Sequence, residues 1–69
     1  PSATHLNNRG LARYQNNDIQ DAKRDFNKAI ELDPSDANIY FNRGNVFLNW
    51  KPEPEFYRAH EDYDRAIEM

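Results

Sequence analysis

Asn8-Arg9-Gly10 and Asn42-Arg43-Gly44 are the same tripeptide, found twice in the chain at a distance of 34 residues. A longer run of matches follows, in which 22–31 resembles 59–68 at a shift of 37 residues. One unit therefore occurs twice and fills nearly the whole chain, and its second copy is longer by three residues. A repeat of this period indicates a solenoid of stacked units.

The spacing of apolar residues predicts an all-α protein with four helices. The first helix runs from a cap at Ser2 or Thr4 to about Asn16, and the others cover about 19–32, 37–50 and 55–69. A polar turn at 16–18, a proline-containing turn at 33–36 and a stiff linker at 51–55 separate them. The third helix carries apolar residues around much of its surface. It is therefore either central or offers one face to a partner.

Short polar residues and proline precede the predicted helices. We expect Asp18 to cap the second helix and Ser35 or Asp36 to cap the third. Pro54 suits the first turn of the fourth helix, where a missing amide proton is tolerated.

Each copy places a glycine inside its first helix, Gly10 and Gly44. A glycine in a helix interior costs about 1 kcal/mol relative to alanine. Because both copies keep it, we expect these glycines to permit close approach of another helix rather than to break the helix.

Composition and charge exclude several classes of protein. Nine basic and twelve acidic residues give a formal net charge of −3, without the basic cluster that nucleic acid or an anionic membrane would require. No apolar stretch is long enough to cross a bilayer. With no cysteine, disulfides and thiolate zinc sites are excluded. We expect an intracellular, cytoplasmic protein. We also expect the chain to be a piece of a longer one, because it opens at Pro1 and ends inside a helical pattern at Met69.

The repeated residues resemble the tetratricopeptide repeat family. That family's unit of about 34 residues contains a glycine, then alanine and an aromatic residue four positions apart, and later a proline. The first copy matches at Gly10, Ala22, Phe26, Ala29 and Pro34, and the second at Tyr40, Gly44, Ala59, Tyr63 and Ala66. The resemblance implies a short right-handed solenoid of antiparallel helix pairs. It also implies a single domain over 1–69, with repeats at about 3–36 and 37–69 and a proline-rich insertion at 51–55.

The resemblance further implies a binding surface. In this family the first helix of each repeat lines a concave face that binds an extended peptide or a helix of a partner protein. Asparagine suits peptide capture because its amide both donates and accepts hydrogen bonds. In this sequence the concave candidates are Asn7, Asn8, Leu11, Gln15, Phe41, Asn42, Asn45, Leu48 and Asn49.

Some family members grip a C-terminal carboxylate with a clamp of lysines, asparagines and an arginine. Asn42 or Asn45 can be matched to a clamp asparagine, depending on the frame chosen. Asn7 or Phe41 then stands where a clamp lysine belongs. Since neither frame supplies the cationic centre, the resemblance does not extend to clamp-type binding of chaperone peptides.

Arg9 and Arg43 occupy a place that the family usually fills with leucine, and two roles fit them. An arginine fork matches a carboxylate and could hold a ligand. Alternatively, the arginine packs its stem and pairs with an acid of the same chain, for which the repeated Asp25 and Asp62 are candidates.

The sequence favours neither a metal site nor catalysis. His60 and Asp64 share a helix face, but transition metals require three or four ligands. We expect no cofactor and no enzyme activity, because no nucleophile, phosphate-binding loop or carboxylate pair is suggested by the residue pattern.

Two functions of different classes therefore stay open. The first is a protein-interaction module that binds a peptide or helix of another protein. The alternative is a structural element that associates with itself, as a dimer or domain swap, through terminal helix faces. Phe56, Tyr63 and Ile67 would form such a face on the last helix, with no following helix to cover them.

Overall fold

The computed structural model describes residues 2–51 and 53–69. Within these residues the chain is all-α and contains no strand. Four helices follow in order: α1 over Ala3–Gln15, α2 over Ile19–Leu32, α3 over Ala37–Leu48 and α4 over Phe56–Glu68. α1 pairs with α2, α3 pairs with α4, and α3 packs against α2 to join the two pairs. The predicted fold class of paired helices is confirmed.

The turn between α1 and α2 is built on a left-handed asparagine. Asn17 has a φ of 68°, a backbone conformation that asparagine tolerates better than most residues. The prediction for Asp18 needs a correction. It precedes α2, but its side chain makes no capping hydrogen bond and instead accepts one from Asn16 Nδ2 at 3.2 Å.

Ser2 caps α1 and Asp36 caps α3, and each is one of the two residues predicted for that position. Ser2 Oγ accepts a hydrogen bond from the amide of His5 at 3.0 Å, and Asp36 Oδ1 accepts one from the amide of Asn38 at 2.9 Å. Each bond satisfies one of the amides that a helix start leaves without a backbone partner.

The connection from α3 to α4 differs from the predicted boundaries. α3 ends at Leu48, two residues before Trp50, because the amides of Asn49 and Trp50 turn back onto the carbonyls of the last helical turn. The amide of Glu55 also donates to Phe47 O at 2.8 Å. α4 then starts at Phe56, so Pro54 lies before the helix and not in its first turn. Pro52 of the predicted linker lies outside the described residues.

The core lies at the junction of α1, α2 and α3. Phe26, Ile39 and Val46 are its largest fully buried side chains. Gly10 lets α1 approach Phe26 so closely that a Cβ at this position would lie 2.8 Å from Phe26 Cε1. Gly44 stands in the same relation to Tyr63, where a Cβ would lie 2.7 Å from Cε1. The interpretation of both glycines as close-approach positions is confirmed.

The wide apolar surface of α3 is used in both of the ways that the sequence allowed. Ile39 and Val46 are buried against the first helix pair. Phe41 is 51% exposed and Leu48 is 42% exposed. α3 is therefore central on one side and open on another.

Candidate functional site

α1 and α3 lie side by side, and two hydrogen bonds connect them. Asn42 Nδ2 donates to Asn7 Oδ1 at 3.0 Å, and Asn49 Nδ2 donates to the hydroxyl of Tyr14 at 2.7 Å. We call the surface over these two helices the α1/α3 face. Its predicted members are Asn7, Asn8, Leu11, Gln15, Phe41, Asn42, Asn45, Leu48 and Asn49.

The α1 part of this face is open to solvent. Asn8, Leu11 and Gln15 follow each other at spacings of three and four residues, which places them on one side of the helix. All three are exposed, and Leu11 is an apolar side chain between two amides.

The α3 part repeats this spacing with three asparagines, Asn42, Asn45 and Asn49. Asn45 Oδ1 accepts a hydrogen bond from the hydroxyl of Tyr63 on α4. Asn49 Nδ2 donates a second bond, to the carbonyl of Asn45 at 2.9 Å. These amides are therefore held in place by bonds within the chain.

Phe41 and Leu48 are the exposed apolar side chains among the predicted residues of α3. Phe41 packs against the ring of Tyr63 on α4, with ring centroids 5.6 Å apart. Leu48 follows two helical turns later and shares the side of Phe41. Tyr63 thus connects the two kinds of residue, because its ring packs on Phe41 and its hydroxyl donates to Asn45.

Tyr63 contacts the preceding helix, α3. Its ring lies against Gly44 and Phe41 and is partly exposed. That no following helix covers this side of α4 stays a prediction. Burial raises the pKa of the Tyr63 hydroxyl above the usual range, so the hydroxyl is a proton donor over the physiological pH range.

The two arginines of the repeated tripeptide form ion pairs with the predicted aspartates. Arg9 binds Asp25 through two hydrogen bonds of 3.0 and 2.9 Å, and Arg43 binds Asp62 in the same way at 2.8 and 2.7 Å. Both aspartates are buried. The structural pairing is confirmed, and each arginine fork holds its helix pair together rather than pointing to a ligand.

The first pair contains a third member that the sequence did not reveal. Arg13 Nη1 donates to Asp25 Oδ2 at 3.0 Å. The hydrogen bond from Arg9 lowers the pKa of Asp25 below its usual value, and the charges of Arg9 and Arg13 act in the same direction. The sequence predicted no role for Arg13.

The sequence also did not predict a groove of about 710 Å³. Side chains of α2, α3 and α4 line it, and their charges balance: Lys23, Arg43 and Arg58 face Glu31, Glu61 and Asp62. Arg43 crosses it to donate to Asn27 Oδ1 at 3.0 Å. No local spacing predicts such a groove, because its walls come from three helices.

Over residues 2–51 and 53–69, no three His, Asp or Glu side chains come close enough together to hold a metal ion. Within the same residues, none of the helices has the length and apolar character needed to span a bilayer.

A family model and several known proteins are similar to this chain. A family model described as TPR repeat matches residues 6–49, which extends from α1 to the end of α3. The chain is 36% identical over 67 residues to the Protein STIP1 homolog of Dictyostelium discoideum, a match that covers 97% of the chain and 11% of that protein. It is 30% identical over 68 residues to human Tetratricopeptide repeat protein 6, covering 99% of the chain and 12% of that protein.

A third relative is the Stress-induced-phosphoprotein 1 of Caenorhabditis elegans, which is 33% identical over 60 residues, or 87% of the chain and 18% of that protein. The chain therefore spans less than a fifth of each of these relatives. No solved structure matches the chain significantly.

Proposed function

Because this chain belongs to the tetratricopeptide repeat family, we propose that it is a protein-interaction module whose α1/α3 face binds an extended peptide or a helix of a partner protein. Repeats of this family mediate protein–protein interactions. We expect the module to have no catalytic activity of its own. An intracellular, cytoplasmic location stays a prediction.

The observation that carries this proposal is a row of ordered amides with unused hydrogen-bonding groups. Among the described residues, no hydrogen bond engages Oδ1 of Asn42 or of Asn49, nor Nδ2 of Asn7 or of Asn45. The first two are acceptors and the last two are donors. A peptide backbone offers N–H and C=O groups in alternation, so a surface that presents both types can bind it without a particular side-chain sequence.

The internal hydrogen bonds of the face reduce the cost of binding. An asparagine side chain that is already held by Asn7, Tyr14 or Tyr63 loses less rotamer freedom when a ligand arrives. Preordered side chains therefore leave more of the contact energy for affinity.

Leu11 supplies an apolar contact within this polar row. It is 37% exposed and lies one turn of α1 from both Asn7 and Gln15. A ligand side chain that covers Leu11 would remove apolar area from water, at about 25 cal/mol per Å². The proposed ligand is thus a peptide with at least one apolar side chain, bound mainly through its backbone.

A matched pair of double variants tests the proposal. Leu11→Ala with Gln15→Ala removes two exposed side chains of the α1/α3 face. Leu32→Ala with Gln20→Ala removes the same residue types from exposed positions on α2, outside the face. Peptides are first selected from a displayed random library on the unmodified chain, and their dissociation constants are then measured for all three proteins.

We expect the α1 variant to bind the selected peptides about tenfold more weakly, and the α2 variant to bind them as the unmodified chain does. Circular dichroism shows whether all three proteins are equally helical. Equal affinities for the two variants would place the peptide elsewhere and overturn the proposal.

A further inference from the structure

The charged residues of the chain are distributed unevenly over its four helices. α2 and α4 each contain six charged residues, whereas α1 contains two and α3 contains one. Neither α1 nor α3 contains a lysine, an aspartate or a glutamate. The two helices that form the α1/α3 face therefore carry little charge, although 30% of the residues of the chain are charged.

The three charged residues of α1 and α3 are arginines, and aspartates of the other two helices bind all of them. Arg9 and Arg13 donate to Asp25 of α2, and Arg43 donates to Asp62 of α4. These hydrogen bonds hold the guanidinium groups at the contact between the two helices of each pair. None of the nine predicted members of the α1/α3 face is charged. A ligand on this face therefore meets no charged side chain among them.

The face offers amides and apolar side chains instead. Six of its nine members are asparagine or glutamine, and the other three, Leu11, Phe41 and Leu48, are exposed and apolar. A carboxamide both donates and accepts, so two carboxamides can pair through two hydrogen bonds. A carboxylate only accepts and an ammonium or guanidinium group only donates. A charged side chain would therefore use only half of what each amide offers.

The cost of removing water from a charge acts in the same direction. A charged ligand side chain on this face would lose part of its hydration without gaining an opposite charge, which costs more than the same loss for a neutral amide. Such a penalty discriminates between ligands as effectively as an additional contact does. The groove over α2, α3 and α4 has the opposite character, because Lys23, Arg58, Glu31 and Glu61 line it. Charged ligand residues would find partners there and not on the α1/α3 face.

We propose that the peptide bound by the α1/α3 face is uncharged over the residues that contact the face, and that it carries asparagine or glutamine beside its apolar side chain. This inference rests on the proposed function, because it names the class of peptide for the same face. Salt screens interactions between charges and leaves contacts between neutral groups largely unchanged. The affinity of such a peptide should therefore be nearly independent of the salt concentration.

The test starts from peptides selected on the unmodified chain from a displayed random library. Those that Leu11→Ala with Gln15→Ala weakens are retained. In each retained peptide, every asparagine is replaced singly by aspartate and every glutamine by glutamate, which adds a charge and hardly changes the shape. Fluorescence anisotropy gives the dissociation constants at pH 8, where histidine is uncharged. Measurements in about 0.01 M and about 0.1 M sodium chloride cover a fall in the Debye length from about 30 to about 10 Å.

We expect at least one acidic replacement in each peptide to weaken binding about tenfold or more. The dissociation constant of the parent peptide should change less than about twofold between the two salt concentrations.

A charge placed on the face should reverse this preference. In about 0.1 M salt, Gln15→Lys should tighten the binding of at least one acidic peptide about threefold or more, because it supplies the missing opposite charge. Gln20→Lys is the matched control, since Gln20 is an exposed glutamine of α2 outside the face, and it should leave the affinity unchanged.

The outcomes separate this inference from the proposed function. Retained peptides that lack asparagine and glutamine, that tolerate every acidic replacement, or that bind several-fold more weakly in the higher salt would overturn the inference alone. An acidic peptide that Gln15→Lys and Gln20→Lys tighten equally would do the same. If no selected peptide is weakened by Leu11→Ala with Gln15→Ala, the proposed function fails, and the inference fails with it.

Discussion

Asp25 is a buried charge that joins the two helices of the first pair. Its carboxylate is buried, receives bonds from Arg9 and Arg13, and connects α1 to α2. A buried carboxylate without such partners would be strongly unfavourable, so the two arginines are needed wherever this aspartate is kept. Asp62 is held by Arg43 alone among its described ion-pair partners.

We expect Asp25 to make the free energy of unfolding depend on pH in the acidic range. Its pKa is lower in the folded chain than in the unfolded chain, where the ordinary value is about 3.9. The stabilisation is therefore fully present above about pH 4 and is lost as the pH falls through the lower folded pKa. Asp25→Asn should destabilise the chain by about 1–3 kcal/mol at neutral pH and flatten the loss of stability below about pH 4.

Urea unfolding at a series of pH values measures this dependence. Asp21→Asn is the control, because Asp21 forms an exposed pair with Arg24, and such pairs contribute about 0–1 kcal/mol. If both variants lose stability in acid as steeply as the unmodified chain, the role assigned to Asp25 is wrong.

At the scale of helices, the glycine–aromatic contact sets how closely the two members of each pair approach. Both pairs use it, but their surroundings differ. Phe26 is fully buried below α3, whereas Tyr63 lines an open apolar groove between α3 and α4. A side chain beside open space can move, and one inside a packed core cannot.

We therefore expect Gly10→Ala and Gly44→Ala to have different effects. The new Cβ in Gly10→Ala would lie 2.8 Å from a ring that cannot shift, and overpacking of this kind costs about 1–3 kcal/mol. This outweighs the gain of up to about 1 kcal/mol that alanine brings to a helix. In Gly44→Ala the Tyr63 ring can rotate outwards, so the two effects should nearly cancel.

Urea unfolding followed by circular dichroism compares the two variants with the unmodified chain. Equal destabilisation by both variants would mean that the Tyr63 ring cannot rotate outwards, although it lies beside open space. A stabilised Gly10→Ala would contradict the close-approach interpretation itself.

The whole molecule is a thin slab, with extents of 30 × 27 × 15 Å. A protein of this size and shape has few fully buried side chains, and those it has lie mostly between the two helix pairs. Stability should therefore depend on this junction far more than on the α4 end.

A pair of identical substitutions tests this distribution. Ile39→Val removes one methylene group from the junction, where the side chain is completely buried, and should cost about 0.5–1.5 kcal/mol. Ile67→Val removes the same group from an exposed position and should change stability by less than about 0.5 kcal/mol. The free energy of unfolding in urea gives both values, and a larger effect for Ile67→Val would show that this surface of α4 is covered in solution.

The sequence by itself determined the repeat, the four helices and the polar turn at 16–18, and it offered the two Arg–Asp pairs as one of two roles for the arginines. Each of these depends on residues close together in the chain or on a pattern that occurs twice. A helical period, a cap and a left-handed turn are properties of a few neighbouring residues, so they can be recognised without knowing what surrounds them.

Only the tertiary structure decided which sides of these helices are covered. It brought Phe41 against Tyr63, gave Asn49 the hydroxyl of Tyr14, and buried Phe26 while leaving part of Tyr63 open. The physical reason is that α3 has apolar residues on several sides, so its own pattern cannot select the side that faces α2. That selection depends on contacts between residues far apart in the chain, and the same repeated residues become core in one copy and surface in the other.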